Sequence, residues 1–247
     1  MQTRQKNRND MTSVLAKSLK NQRISVFVDA ANLYHASTQA GIRIDFVQIA
    51  KWFKENVSTT VDLRFYTAYD PENTKQIQFL DELVQIGYIV IKKPIKEFGT
   101  FIKGNMDIEL AVDAISNKDS FDILVLISGD GDFTYLINSL EKSYKKTIIL
   151  SVGGFTSYEL HLVADSYFFM NRIAKVWQTP RNADSKFIVS TDDFQKAYTG
   201  PNNSSETKGS DYESKIQDHN IVQITKAPVD KTKSIPNHGV ILKIDED

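Results

Sequence analysis

The 247-residue sequence contains no cysteine. That absence excludes disulfides, thiolate metal sites and a cysteine nucleophile, and it suits a reducing interior. No apolar run approaches the roughly 20 residues that span a bilayer. Residues 1–23 are polar and basic (Arg4, Lys6, Arg8, Lys17, Lys20, Arg23) and lack the apolar core of a secretory signal. A soluble, cytoplasmic protein is the expectation. An excess of one charge is also missing, because 30 Lys and Arg against 31 Asp and Glu leave a formal net charge of −1. An anionic partner must therefore be drawn by a local patch or by bound cations. The 4 histidines show no ligand spacing. Neither a phosphate-loop lysine motif nor a serine–histidine–acid arrangement is present, and no internal repeat is visible.

What the chain does have is apolar runs of strand length that end in acids. Ile-Leu-Val-Leu-Ile-Ser-Gly-Asp-Gly-Asp-Phe occupies residues 123–133 and delivers Asp130 and Asp132. Such a run is the pattern of a strand buried on both faces of a parallel sheet. A second run, Ile24 to Val28, ends in Asp29, with Asn32 three residues further on. Open α/β folds bind ligands at the carboxyl ends of their strands.

Between these runs the period alternates. Strands are expected at 24–28, 61–69, 88–91, 122–128 and 147–151. Helices are expected at 45–56 behind an Asp45 cap, at 74–86 closed by Gly87, at about 105–116 and at 133–143. Thr156 and Glu159 match a capping box for a short helix, followed by the aromatic run Tyr167-Phe168-Phe169. The alternation predicts one α/β domain over about residues 22–176 with a mainly parallel sheet. Residues 1–21 read as a flexible basic extension. Residues 177–247 read as a polar, largely disordered tail with apolar islands at 186–189 and 221–224.

The third acidic element lies in Lys103-Gly104-Asn105-Met106-Asp107. Asn105 reads as a helix cap, which puts Asp107 in the first turn. On that helix Ile108, Ala111, Val112 and Ile115 read as the core face, and Asp113 falls nearly opposite, in solvent. Each acid has a structural alternative. An acid in a first turn stabilises the helix dipole, and Asp130 and Asp132 suit a turn residue and a cap. Asp29 is harder to explain so, because a carboxylate ending a buried strand costs energy unless something compensates it. Four carboxylates at one rim would repel, and a divalent cation would relieve the repulsion. Oxygen donors without histidine suit magnesium or manganese rather than zinc.

The set Val-Asp-Ala-Ala-Asn (28–32), Lys-Gly-Asn-Met-Asp (103–107), Ser-Gly-Asp-Gly-Asp-Phe (128–133) and Ala-Asp-Ser-Tyr-Phe (164–168) resembles the NYN domain. This is a relative of PIN nucleases, and the match is closest to its LabA-like branch. The resemblance covers about residues 22–175. It implies a three-layer PIN-like α/β fold whose central, mainly parallel sheet has the order 3-2-1-4-5. It also implies a metal-binding acidic site formed by Asp29, Asp107, Asp130 and Asp132, with Asn32 and Ser128 as supporting polar groups. Asp113 matches a second helical acid of the family and is taken as a support residue only.

Lys92, Lys93, Lys96 and Lys103 flank the approach to Asp107. They read either as a phosphate-guiding rim, with Tyr88, Phe98 and Phe101 available for base stacking, or as lysines protecting a strand edge. Gly153-Gly154 reads as a tight turn or a point of close substrate approach. His35, within about a helical turn of the first motif, reads as a packing or surface residue, with approach to substrate as the other reading. The expected activity is magnesium- or manganese-dependent hydrolysis of RNA, single-stranded in particular. The alternatives are an RNA-binding or regulatory scaffold without turnover, and a phosphoesterase acting on nucleotides. The tail leaves room for a protein partner or a homo-oligomer.

Overall fold

The structure is a computed structural model that describes residues 12–57, 61–98, 101–170 and 178–179. The side chains of residues 96–98, 101–103 and 178–179 fall outside that set, as do the two apolar islands of the tail. The chain opens with helix α1 (residues 12–19). Strand β1 (Ile24–Asp29) and helix α2 (Ala30–Gln39) follow, then β2 (Arg43–Ile44) and α3 (Phe46–Asn56). Next come β3 (Val61–Tyr69), α4 (Thr74–Ile86), β4 (Ile89–Pro94) and a hairpin of β5 (Lys96–Phe98) and β6 (Phe101–Lys103). Helix α5 (Asp107–Ser116), β7 (Ile123–Ile127), α6 (Thr134–Lys142), β8 (Lys146–Ser151), α7 (Tyr158–Val163), β9 (Ser166–Phe169) and β10 (Gln178–Thr179) complete the order.

The central sheet is six-stranded, in the order β4-β3-β1-β7-β8-β9, and every pairing in it is parallel. Numbered along the sheet, this is the expected 3-2-1-4-5 arrangement with a sixth strand added beyond the fifth. The added strand is the aromatic run. All of Ser166–Phe169 is buried, with Phe168 in one core and Tyr167 and Phe169 in the other. Its period of two is too short to read against an almost wholly apolar background.

Helices cover both faces, which is why β1 and β7 are buried along their whole length and mostly apolar. One core joins Val26, Val28, Phe65 and Ile127 to Leu33, Phe53 and Leu80 of α2, α3 and α4. The other joins Phe27, Tyr66 and Leu126 to Leu110, Ile137 and Leu160 of α5, α6 and α7. By strand alternation Asp29 shares the face of Phe27. The chain builds outward from β1 to β3 and β4, then returns to β7 beside β1. The topological switch point therefore lies between β1 and β7.

Two local expectations are corrected. The N-terminal extension is not wholly free of the domain, because Leu15 and Leu19 of α1 are completely buried in the first core. Four residues apart, they share one helical face. The phase of α5 is also shifted, since Leu110 and Ala114 are buried while Ile108 is 76% exposed and Val112 56% exposed. Two apolar stripes on this helix compete, and the sheet takes the narrower one, beneath Met106. A smaller change affects α7, which starts at Tyr158 with Ser157 at its cap, while Thr156 bonds Ser151 and the Val152 carbonyl instead.

Candidate metal centre

The site is assembled at the switch point. Asp29 ends β1 and caps α2, with its Oδ1 accepting the Asn32 N–H at 3.2 Å. Its Oδ2 accepts from the Ser128 hydroxyl, just past β7, at 2.9 Å. Ser128 Oγ in turn accepts the Asp130 N–H at 3.1 Å, and Asn32 Oδ1 accepts the Gly129 N–H at 2.8 Å. The first and third sequence motifs are thus locked together by hydrogen bonds across two adjacent strand ends. The expected support residues Asn32 and Ser128 are the ones that make these bonds.

Gly129 is demanded by packing. A Cβ there would sit 2.1 Å from the Phe155 carbonyl oxygen. The segment after β8 lies against it, and the Ser157 N–H donates to the Gly129 carbonyl at 2.8 Å. Gly153-Gly154 belongs to that turn, with Gly154 at φ +89°. The sequence leaves Gly153-Gly154 as a turn or a point of close substrate approach and marks no packing role for Gly129, since the close approach is between segments far apart in the chain.

Asp107 comes in from α5. Its backbone N–H donates to Asn105 Oδ1 at 2.7 Å, and the Asn105 side-chain amide donates back to its carboxylate. Asn105 therefore orients the acid rather than forming the geometric cap, which is Met106. Carboxylate oxygens of Asp29, Asp107 and Asp130 lie within 4.8 Å of one another. Among the described residues no Lys or Arg forms an ion pair with any of the three.

Asp132, the fourth expected acid, is outside this group. A short 3-10 turn over Gly131–Phe133 buries Phe133 and turns Asp132 outward, while its N–H donates to Asp130 Oδ1 at 3.0 Å. Asp132 still stands near enough to act on Asp107 electrostatically. Asp113 is not left in solvent as its position on the helix suggested. It accepts from the Tyr66 hydroxyl at 2.9 Å and faces Arg64 at 3.7 Å. Tyr66 pairs with Asp29 across the β1–β3 ladder, so Asp113 braces the strand beside the site.

The electrostatics follow from crowding and burial. Burial first, then the negative charge of Asp107, push the Asp29 carboxyl up to about 7, against the bonds from Asn32 and Ser128. Burial likewise raises Asp107, where the Asn105 bond opposes it and the charges of Asp130, Asp132 and Glu109 add to it. At an effective dielectric near 20, like charges ~5 Å apart repel by about 3 kcal/mol per pair. Three convergent carboxylates with no ion-paired Lys or Arg among the described residues fit a hard divalent ion of the magnesium or manganese kind.

Lys92 and Lys93 do not share one surface. Lys92 and Lys93 are neighbours on β4, so their side chains leave opposite faces. Lys92 lies over the Tyr69 ring, and Lys93 bonds Glu109 at 2.6 Å. Lys96 and Lys103 pair through the β5–β6 backbone, and their side chains lie outside the described residues. Phe98 and Phe101 share that position. Tyr88 is buried and donates to the Phe46 carbonyl, so it offers no stacking face. The His35 ring packs edge-on against Tyr34.

A three-layer domain with a parallel sheet and carboxylates gathered at its switch point defines the class. The NYN domain family model matches residues 23–171, and the chain belongs to that family, in its PIN-like superfamily and LabA-like branch. It is 31% identical, over 160 residues, to the low amplitude and bright protein LabA of Synechococcus elongatus, covering 61% of this chain and 85% of that one. It is also similar to the crystal structure of a protein of unknown function from Vibrio parahaemolyticus. That likeness has a TM-score of 0.57 at 27% identity, covering 64% of this chain and 96% of the other.

Proposed function

We propose that this protein is a magnesium- or manganese-dependent ribonuclease of the cytoplasm that hydrolyses phosphodiester bonds. The observation that carries the reading is the convergence of Asp29, Asp107 and Asp130 within 4.8 Å, with no Lys or Arg ion-paired to them among the described residues. These three residues would hold the cation. A bound ion of this kind polarises a phosphodiester and lowers the pKa of an attacking water. Ser128 and Asn32 hold Asp29 in one orientation, and Asn105 does the same for Asp107. Asp132 acts from the outer edge as a nearby negative charge and a candidate proton acceptor.

Purified full-length protein is expected to cleave labelled RNA when magnesium or manganese is added and to stop when EDTA removes it. Asp130→Asn is expected to reduce cleavage by at least about 100-fold, and Asp132→Asn by about tenfold. Cleavage that survives Asp130→Asn at the wild-type rate would remove the assigned site. A second reading, an RNA-binding or regulatory scaffold without turnover, is favoured by Asp132 standing outside the three-acid group. RNA binding that ignores EDTA, with no products after long incubation with metal, would select it.

A further inference from the structure

The shifted phase of α5 has a consequence beside the acids. Its apolar stripe faces solvent and lines a cavity of about 1000 Å³ that runs between α5 and α6. Ile108, Val112 and Ile115 form one wall, and Tyr135, 80% exposed, stands on the other. Asp107 belongs to both the cavity lining and the three-acid group, so the two are continuous.

The charges decide what such a cavity can hold. Its lining carries one lysine, Lys93, against Asp107, Glu109 and Asp132. Lys93 is already paired with Glu109 at 2.6 Å. A phosphate lying along this groove would meet net negative charge and no available cation among the described lining residues. An uncharged flat group suits it instead, because aliphatic walls and a phenol ring bury apolar surface and offer a stacking face. Sites for small ligands span about 300–1,000 Å³, so there is room for a nucleoside and more.

We propose that the groove between α5 and α6 is a nucleobase subsite. It receives an unpaired base of single-stranded RNA next to a phosphate that would be held through the cation at Asp29, Asp107 and Asp130. This rests on the ribonuclease reading and adds to it the basis of strand preference. A base held in a duplex cannot turn out into the groove, whereas an unstacked base can.

The test uses the full-length protein and fluorescence anisotropy with calcium, on labelled decauridylate and on an abasic ribose-phosphate chain of equal length. Wild-type protein is expected to bind decauridylate about tenfold more tightly than the abasic chain. The double variant Val112→Ser, Tyr135→Ala is expected to lose that tenfold for decauridylate and nothing for the abasic chain. Its melting temperature should stay within about 2 °C of wild type, because both side chains are exposed. Tyr135→Trp should keep or strengthen base binding. Equal affinity of wild-type protein for the two chains, with metal-dependent cleavage of RNA intact, overturns the subsite and leaves the ribonuclease reading standing. Neither binding nor cleavage with any metal removes both. A double variant that keeps its RNA affinity but changes from dimer to monomer in sedimentation assigns the groove to a protein interface and also overturns the proposal.

Discussion

The Ser128 hydroxyl donates to Asp29 Oδ2 at 2.9 Å and ties the end of β7 to the end of β1. Ser128 Oγ also accepts the Asp130 N–H, so one hydroxyl sets the spacing of two of the three convergent acids. Ser128 and Asp29 are both buried, so the bond between them is shielded from water.

Removing that hydroxyl tests how far the acids depend on it. Ser128→Ala is expected to weaken manganese binding by about 10- to 100-fold, as loss of a group that orients a ligand typically does. The cost in folding stability should be about 1–2 kcal/mol. Isothermal titration and urea unfolding measure the two effects separately. Unchanged manganese affinity would mean that Asp29 holds its position without Ser128.

The raised carboxyl of Asp29 makes a signed prediction. Between the ordinary carboxylate value and about 7, folded protein holds a proton that the unfolded chain has released. The stability of the metal-free protein therefore falls as pH rises through that window and is level above it, by up to about 4 kcal/mol. Asp29→Asn should flatten the fall in urea unfolding between pH 5 and pH 8. The same proton competes with the cation, so manganese affinity should rise about tenfold per pH unit up to about 7 and then level off.

Gly129→Ala places a methyl group against the Phe155 carbonyl, where a Cβ would approach to 2.1 Å. Two backbone segments must separate to admit it. A loss of about 1–3 kcal/mol or more is expected, along with weaker manganese binding through displacement of Asp130. Thermal unfolding with and without manganese reads both. A stable variant with normal metal affinity would show that the loop after β8 gives way freely.

Leu15→Ala tests where the folded unit begins. With Leu15 fully buried in the first core, the truncation should cost about 2–5 kcal/mol. Leu15→Ala should lower the urea midpoint, while Lys17→Ala, on the exposed side of α1, should leave it unchanged. Equal midpoints for wild type and Leu15→Ala would detach α1 from the core.

Much of this architecture was legible in the chain. Apolar runs of strand length, helical periods and the caps Asp45 and Gly87 all sit where the structure has them. Where the reading failed, a tertiary choice was involved. On α5, Leu110 and Ala114 compete with the larger Ile108, Val112 and Ile115, and periodicity ranks the bulkier stripe first. The sheet chooses the stripe that lets Met106 and Leu110 pack under Asp107. Leu15 and Leu19 stand in a basic, polar stretch whose composition hides them. The sequence offers Lys93 as a phosphate-guiding or edge-protecting lysine and hides its pairing with Glu109, because that partner lies on a helix whose phase only packing sets.

The sequence by itself determined the parallel α/β class, the strand ends that carry Asp29 and Asp130, and the NYN family. Local period, strand length and motif order carry that information without reference to distant contacts. Only the tertiary structure decided that Asp29, Asp107 and Asp130 converge while Asp132 turns outward. It likewise decided that Asp113 braces Tyr66 and that an apolar groove opens beside the acids. Those outcomes depend on the rotation of α5 over the sheet and on a 3-10 turn after β7. Both are set by packing between segments remote in sequence, where no local pattern can record them.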